Sequence, residues 1–350
     1  MSLHVLLPSG SRRTEIGVRG ARRHRATPRL IDCTAGSGRL AIHPHTRGYL
    51  LVLATATLWG LSGTLSKYLM QGGVTPIALA QGRSAVTAAL LVLYLALARP
   101  SGLRVPRRAW LWLLLFGVFL ATVQFMYFSA IERLAVAAAI LLEYLSPAMV
   151  VTFGWLFLRR RVTRTTVAAL VAALVGCALV VRAYDPAVLS LSAAGIAFGV
   201  GAAVSFSGYI LVGEHLKNDT GVSTQLLYGF AIAGLVLALV RPPWTLPAAV
   251  LEPRNLAMIA AVGVFGTILP FGFFLASFRY IDAGRATIVS TLEPVVAGVV
   301  SWVWLGEVFS GVQMFGAALV IGAVIALQRD RPDDEAVAAP DTLVFVKPPH

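Results

Sequence analysis

Residues 283–305 read AGRATIVSTLEPVVAGVVSWVWL, an apolar stretch with Glu293 and Pro294 near its centre. A helix needs about 20 residues to cross the ~30 Å hydrocarbon core of a bilayer, so this stretch is long enough to span one. A charge inside the bilayer costs free energy, and it is retained for function or for pairing. The stretch therefore predicts a transmembrane helix with a functional residue near the bilayer midplane.

The rest of the chain has the same character. Hydrophobic residues make up 57% of the 350 residues and charged residues 13%, whereas soluble domains carry about 25% charged residues. This composition excludes a disordered chain and argues against an ordinary soluble enzyme. Apolar runs of membrane length, separated by Gly, Pro and Asn-Asp breakers, predict an all-α integral membrane protein with ten transmembrane helices. These lie near 48–70, 74–98, 109–131, 134–158, 164–182, 192–213, 223–240, 255–278, 283–305 and 311–327.

The two halves of the chain repeat. A shift of 147 residues aligns 125–181 with 272–328 and places Leu145-Ser146-Pro147 on Leu292-Glu293-Pro294. Each half contains five predicted helices, an odd number, so two tandem halves must enter the membrane in opposite directions. We therefore expect two inverted five-helix repeats at 48–182 and 192–327, an arrangement typical of secondary transporters.

Loop charges predict the orientation. If the N-terminus is inside, the inner side carries 23 Lys and Arg residues and the outer side four, and the bias is 11 to four without the two tails. The positive-inside rule then predicts a multi-pass protein of the cell (plasma) membrane with both termini in the cytoplasm. Residues 1–47, with nine arginines, are predicted to be a disordered basic cytoplasmic tail, and residues 328–350 a second disordered cytoplasmic tail. We expect the lipid bilayer, and no nucleic acid, among the partners of the protein.

Three charged residues are predicted to lie near the midplane, and they are the first candidates for a binding site: Arg83, Glu143 and Glu293. The alternative is a buried structural ion pair between Arg83 and one of the glutamates. Lys67 lies about one turn from the outer end of the first span, where it can either snorkel to the interface or face the cavity.

Prolines inside the predicted spans indicate helix kinks. Pro147 and Pro294 occupy equivalent positions in the two repeats, and Pro270 lies inside the eighth span. Each removes a helical hydrogen bond and frees the carbonyl four residues earlier, which gives a cavity polar backbone. A simple packing kink is the alternative. Trp59 and Tyr127 are candidates to line the cavity, although packing in the core is the more common role of such aromatic residues.

Several of these positions occur in an order that resembles the EamA-type branch of the drug/metabolite transporter superfamily. Trp59-Gly60 precedes Lys67, and Pro76 precedes Arg83 by seven residues. The most recognisable stretch begins at Leu292-Glu293-Pro294 and continues with Leu305-Gly306-Glu307, Gly316-Ala317 and Gly322. The first repeat departs from the pattern, because Ser146 and Arg160 stand where the family has glutamates.

The resemblance implies a central cavity and export or exchange of small metabolites, such as amino acids or related polar compounds, by alternating access without ATP. The chain has no phosphate-binding loop of the type G-x-x-x-x-G-K-[ST], which agrees with transport that does not use ATP. In this interpretation Arg83 binds a carboxylate of the substrate or compensates the charge of an acidic side chain. Glu293 or Glu143 binds an amine or a proton. Substrate identity, the coupling to protons and the oligomeric state stay open.

Other classes of protein fit less well. A multidrug or lipid-like amphiphile exporter of the same fold is the main alternative. A membrane-embedded enzyme would need clustered His, Asp or Cys, but the six histidines and two cysteines have no metal or triad spacing. A sensor or scaffold would need a folded soluble domain. We therefore expect no metal site, no cofactor and no enzymatic activity.

Overall fold

The computed structural model describes residues 43–330 apart from 135, 187–191 and 306–309; in the helices it leaves out the side chains of Thr64, Lys67, Val136, Ser301, Trp304 and Leu305. All regular structure in the described residues is helical. The α-helices are α1 (Pro44–Gln71), α2 (Pro76–Ala98), α3 (Trp110–Ile131), α4 (Val136–Glu143), α5 (Ser146–Leu156), α6 (Arg164–Val180), α7 (Ala193–Leu216), α8 (Val222–Val240), α9 (Pro253–Gly263), α10 (Leu269–Ser277), α11 (Ala283–Ser290), α12 (Glu293–Leu305) and α13 (Gly311–Arg329).

These helices form ten apolar spans. In the described residues, nine helical segments have the length and hydropathy needed to cross a bilayer, and α6 is a shorter tenth. Three spans consist of two helices each, α4 with α5, α9 with α10 and α11 with α12. Helix α1 begins at Pro44, four residues before the predicted span, and α13 ends at Arg329. The predicted tails otherwise lie outside the described residues.

Local sequence explains where the spans begin. Proline occupies the first turn of α1, α2 and α9, where its missing N–H costs nothing. Other helices begin with a side chain that accepts a hydrogen bond from an amide group of the first turn: Thr163, Ser192, Asp282 and Ser310. Ser310 also forms a reciprocal capping box with Gln313.

The packing of the helices follows a two-fold pseudosymmetry. Helix α3 packs against α7, and its repeat counterpart α10 packs against α1. Helix α1 packs against α12 as α7 packs against α5, and α2 contacts α9 as α8 contacts α3. The pairs α2–α8 and α6–α13 consist of symmetry mates. Because the contacts come in matched pairs, the predicted fold of two inverted five-helix repeats is confirmed.

One close helix crossing depends on glycine. Gly176 in α6 and Gly316 in α13 face each other, and a Cβ atom on either would lie 2.7 Å from the carbonyl oxygen of the other. Such contact is too short for any side chain, so only glycine lets these two backbones approach so closely.

Two equivalent spans are interrupted at mid-depth. Helix α4 ends at Glu143 and α5 begins at Ser146, while α11 ends at Ser290 and α12 begins at Glu293. Pro147 and Pro294 lie in the first turns of α5 and α12. Pro270 similarly begins α10, after a π-helical turn at Val264–Ile268. The breaks place non-helical backbone beside the predicted midplane charges.

The two ends of the bundle differ in charge. We call the end that carries the connections 99–109, 157–163, 217–221 and 278–282 the arginine-rich end, because most loop arginines lie there. The opposite end carries the connections that follow α1, α3, α6, α8 and α12.

Candidate functional site

Arg83 is held by a neutral amide. It is the eighth residue of α2, and Gln124 is the eighth from the end of α3, so both lie about 10 Å from the end opposite the arginine-rich end. Nε and Nη2 of Arg83 both donate to Oε1 of Gln124, at 3.0 and 2.7 Å. The alternative interpretation is a structural ion pair between Arg83 and a glutamate. No ion pair among the described residues includes Arg83, so the geometry differs from that interpretation.

The two glutamates lie at the breaks of equivalent spans. Glu143 ends α4 in the first repeat, and Glu293 begins α12 in the second. The hydroxyl of Tyr144 donates to Oε2 of Glu293 at 3.3 Å and so links the two breaks. Tyr144 itself is buried, whereas both glutamates are half-buried. Carboxylates from both repeats therefore meet near the interface of the two halves.

Tyr127 belongs to the same group of side chains. Glu143 lies close enough to Arg83 for their charges to interact, and Tyr127 lies within electrostatic range of Arg83 and of both glutamates. Arg83 and Tyr127 are also half-buried. A partly exposed charge at mid-depth faces either lipid or a polar space between the helices. Exposure to lipid costs far more free energy, so we infer that these groups face a polar space. The four residues Arg83, Tyr127, Glu143 and Glu293 are hereafter the central cluster.

Trp59 packs into an aromatic group next to the central cluster. Its ring centre lies 5.1 Å from that of Phe271, 5.5 Å from that of Phe274 and 6.3 Å from that of Phe206. Trp59 is only 9% exposed, and Phe274 is fully buried. Gly60 next to it lies against the Glu293 carbonyl. These contacts correspond to the core-packing interpretation of Trp59, with its backbone neighbour at the edge of the site.

The backbone of Lys67 is part of α1, but its side chain lies outside the described residues. Glu307 of the family motif also lies outside the described residues. The structure therefore leaves open both predicted positions of the Lys67 side chain, at the interface or in the cavity.

A second charged group joins elements of both repeats at the arginine-rich end. Glu214, near the end of α7, is 5% exposed. Its carboxylate accepts from Nη2 of Arg160 at 2.8 Å and from the backbone N–H of Ala283 at 3.3 Å, and Lys217 lies 3.7 Å away. Nζ of Lys217 also donates to the carbonyl of Phe278 at 3.0 Å. We call Glu214, Arg160, Lys217 and Ala283 the Glu214 cluster; it joins elements of both repeats.

Sequence reasoning missed Gln124 and Glu214. Gln124 is an amide in the otherwise apolar stretch 110–131, and that isolation was a usable signal. Glu214 lies at a predicted helix end, where a charge is ordinary, so only the tertiary contacts reveal its burial.

Ten spans in two inverted repeats, with charged residues of both repeats meeting at mid-depth, define a multi-pass membrane protein of the secondary-transporter class. Comparison with known proteins agrees. The chain belongs to the EamA-like transporter family, which matches residues 46–182 and again residues 193–328. The predicted resemblance is thereby confirmed.

Curated relatives are similar over most of their length. The uncharacterized transporter YwfM of Bacillus subtilis is 27% identical over 83% of this chain and 97% of its own. The threonine/homoserine exporter RhtA of Escherichia coli is 28% identical over 79% of this chain and 88% of its own. The pseudopaline exporter CntI of Pseudomonas aeruginosa is 27% identical over 69% and 82%.

Solved structures share the fold, and a crystal structure among them superposes with a TM-score of 0.69 at 21% identity, covering 81% of this chain and 96% of its own.

Proposed function

We propose that this protein exports or exchanges small polar metabolites, with amino acids and related compounds as the first class, by alternating access without ATP. The observation that carries the proposal is the central cluster, which gathers one cation and two carboxylates from both repeats at mid-depth. Charged groups inside a bilayer cost free energy, and the binding of a substrate or an ion explains why they are retained there.

The geometry suggests a role for each group. Gln124 engages Nε and Nη2 of Arg83, and Nη1 is the group that we assign to a substrate carboxylate. Glu143 and Glu293 provide acceptors for an amine or for a proton. With one cation and two carboxylates, the central cluster attracts positive charge, so either a substrate amine or a proton compensates it.

The named relatives support the polar class of substrate. One is a threonine/homoserine exporter and another a pseudopaline exporter. The alternative, an exporter of multiple drugs or lipid-like amphiphiles, would require an open aromatic surface. The aromatic group around Trp59 is packed against itself instead, which favours the polar class.

We also propose that the arginine-rich end faces the cytoplasm and that the protein resides in the plasma membrane with both termini inside. The loop-charge bias supports this orientation. A reporter that fluoresces only in the cytoplasm, fused after residue 350, should therefore be bright. A dark reporter on an inserted protein would reverse the orientation.

Transport in proteoliposomes tests the proposal. Labelled threonine inside vesicles should exchange with external threonine in the presence of the protein, and Arg83→Gln should abolish the exchange. If protons are coupled through Glu293, an imposed pH gradient should accelerate efflux and Glu293→Gln should remove that response. Equal threonine flux in empty and protein-containing vesicles, repeated for homoserine and other amino acids, would contradict the proposed substrate class.

A further inference from the structure

A cavity of about 410 Å³ lies at the arginine-rich end, apart from the central cluster. Its walls are the last turn of α2, the connection from α2 to α3, the connection from α7 to α8, the first turn of α8 and the second residue after α10. Arg99 and Arg104 line it from the connection between α2 and α3, and Arg279 lines it from the connection between α10 and α11. Cations from two distant parts of the chain thus line one space.

The side chains of these three arginines have no hydrogen-bond or ion-pair partner among the described residues. Three arginines at the same end do have an acidic partner: Arg108 with Asp219, Arg160 with Glu214 and Arg285 with Asp330. Asp219 is the acidic residue in the cavity wall, and Arg108 already engages it. The cavity therefore carries excess positive charge that the described part of the protein does not neutralise.

The amino terminus of α8 adds further donors. This 19-residue helix begins at the cavity, and its N-cap residue Gly221 offers no side chain to the free amide groups of the first turn. The hydroxyl groups of Ser101 and Ser223 also belong to the lining. Unpaired amide groups at a helix start, together with guanidinium groups, are the donors that phosphate oxygens take.

The cavity wall is held in place by hydrogen bonds. Oγ1 of Thr224 donates to the carbonyl of Gly102 at 2.8 Å, and the hydroxyl of Tyr228 donates to the carbonyl of Leu103 at 2.8 Å. The loop that presents Arg99 and Arg104 is thus fastened to α8. A site fixed in this way needs little rearrangement to receive an anion.

The surroundings identify the occupant as a lipid. Leu97, two residues before Arg99, is 77% exposed on the apolar surface of α2. Trp110 is 46% exposed, and its ring packs edge-on against Tyr228 at 5.1 Å. Exposed tryptophan beside apolar helix surface is typical of the membrane interface, so the cavity lies at the depth of lipid headgroups.

We propose that this cavity binds the phosphate group of an anionic phospholipid, with Arg99, Arg104 and Arg279 as its ligands and the acyl chains along α2. The site lies outside the central cluster and does not depend on the transported substrate. Arginine pairs with phosphate through two parallel hydrogen bonds, so the three guanidinium groups suit a phosphate diester.

Native mass spectrometry of the full chain in detergent tests the proposal. Phosphatidylglycerol and phosphatidylcholine are titrated against the wild type and against Arg99→Gln, Arg104→Gln and Arg279→Gln. The matched control is Arg107→Gln, on the same loop but outside the cavity lining. Each cavity variant should weaken phosphatidylglycerol binding about fivefold, the effect of ~1 kcal/mol for one arginine near an anionic lipid. The control should bind as the wild type does.

A second kind of variant distinguishes loss of the binding site from misfolding of the arginine variants. Ser101→Glu leaves all three arginines in place and puts a negative charge in the cavity, so it should also weaken phosphatidylglycerol binding. Equal losses in Arg107→Gln and in the cavity variants would show general surface attraction and overturn the proposal. Equal binding of phosphatidylcholine, or displacement of phosphatidylglycerol by millimolar inorganic phosphate, would overturn the assignment to an anionic lipid.

Discussion

Arg83 illustrates how a mid-bilayer cation is kept available. A carboxylate partner would neutralise the guanidinium group and compete with a substrate carboxylate. The Gln124 amide instead accepts two hydrogen bonds and leaves the positive charge in place. Gln124 also donates from Nε2 to the Leu120 carbonyl at 3.2 Å, which fixes the orientation of its amide. At the scale of single residues, Gln124 is therefore a positioning residue for Arg83.

Replacing Gln124 tests this role. In Gln124→Leu, Arg83 loses both described hydrogen bonds to Oε1 of Gln124, and hydrogen bonds to a charged group contribute ~1.5–3 kcal/mol each. We expect substrate exchange in proteoliposomes to fall at least tenfold and the midpoint of thermal unfolding to drop. Gln124→Glu should fold, but it should also transport poorly, because a carboxylate pairs with Arg83.

The control is Thr122→Val on the same helix. The Thr122 hydroxyl donates only to the carbonyl of Val118, within α3. This variant should keep wild-type exchange. Full activity of both Gln124 variants would show that Arg83 does not need the amide.

The charges in this site could be predicted from sequence, whereas their partners could not. Arg83, Glu143 and Glu293 stand out because ionised groups are rare in apolar runs of membrane length. The bond from Tyr144 to Glu293 joins residues 149 positions apart, and no local pattern encodes it. Interaction of Arg83 with Gln124 rather than with a glutamate depends on helix rotation, which the sequence of a uniformly apolar helix hardly constrains.

At the scale of elements, the crossing of α6 and α13 sets how closely the outer pair of helices packs. Apolar lipid gives helices no hydrophobic reason to associate, so close backbone contact provides the attraction. Gly176 and Gly316 allow that contact. The bounds of these two helices were predicted to within two residues, because bilayer thickness fixes their length. Their partnership was not predicted.

Two glycines of α13 provide a matched test. In Gly316→Ala the new Cβ would lie 2.7 Å from the Gly176 carbonyl oxygen and 2.7 Å from Cβ of Leu179, so the helices must separate. Overpacking of this kind costs ~1–3 kcal/mol. Gly322→Ala, on the same helix with open space around it, should be neutral or slightly stabilising. Thermal unfolding in detergent should separate the two, and equal midpoints would contradict the close crossing.

At the scale of the whole molecule, ion pairs and hydrogen bonds between the two repeats lie at the arginine-rich end. The Glu214 cluster joins α7, the connection from α5 to α6 and the start of α11. Nearby, Arg285 binds Asp330 and the carbonyl of Leu327, and the hydroxyl of Tyr49 donates to the same carbonyl. Both repeats are therefore tied together at the arginine-rich end. Alternating access requires that these contacts break when this end opens.

The Glu214 cluster should therefore set the balance between closed and open forms. Lys217 follows Glu214 at the same helix end and stays within its reach, whereas Arg160 belongs to the other repeat and reaches the carboxylate only when this end is closed. Glu214→Gln therefore removes an ion pair of the closed form. We expect the variant to open more often, by about tenfold, which corresponds to ~1.4 kcal/mol. The change should be visible at Thr287, a fully buried residue of α11 beyond the cluster.

Maleimide labelling measures that opening. Thr287→Cys, in a chain with Cys33→Ser and Cys177→Ser, should react slowly, and adding Glu214→Gln should raise the rate about tenfold. The control is Asp219→Asn, which removes the exposed pair with Arg108 at the same end. Exposed pairs contribute ~0–1 kcal/mol, so its labelling rate should change little. A rate that rises equally in both variants would mean that loop charge in general, and not the buried carboxylate, holds this end closed.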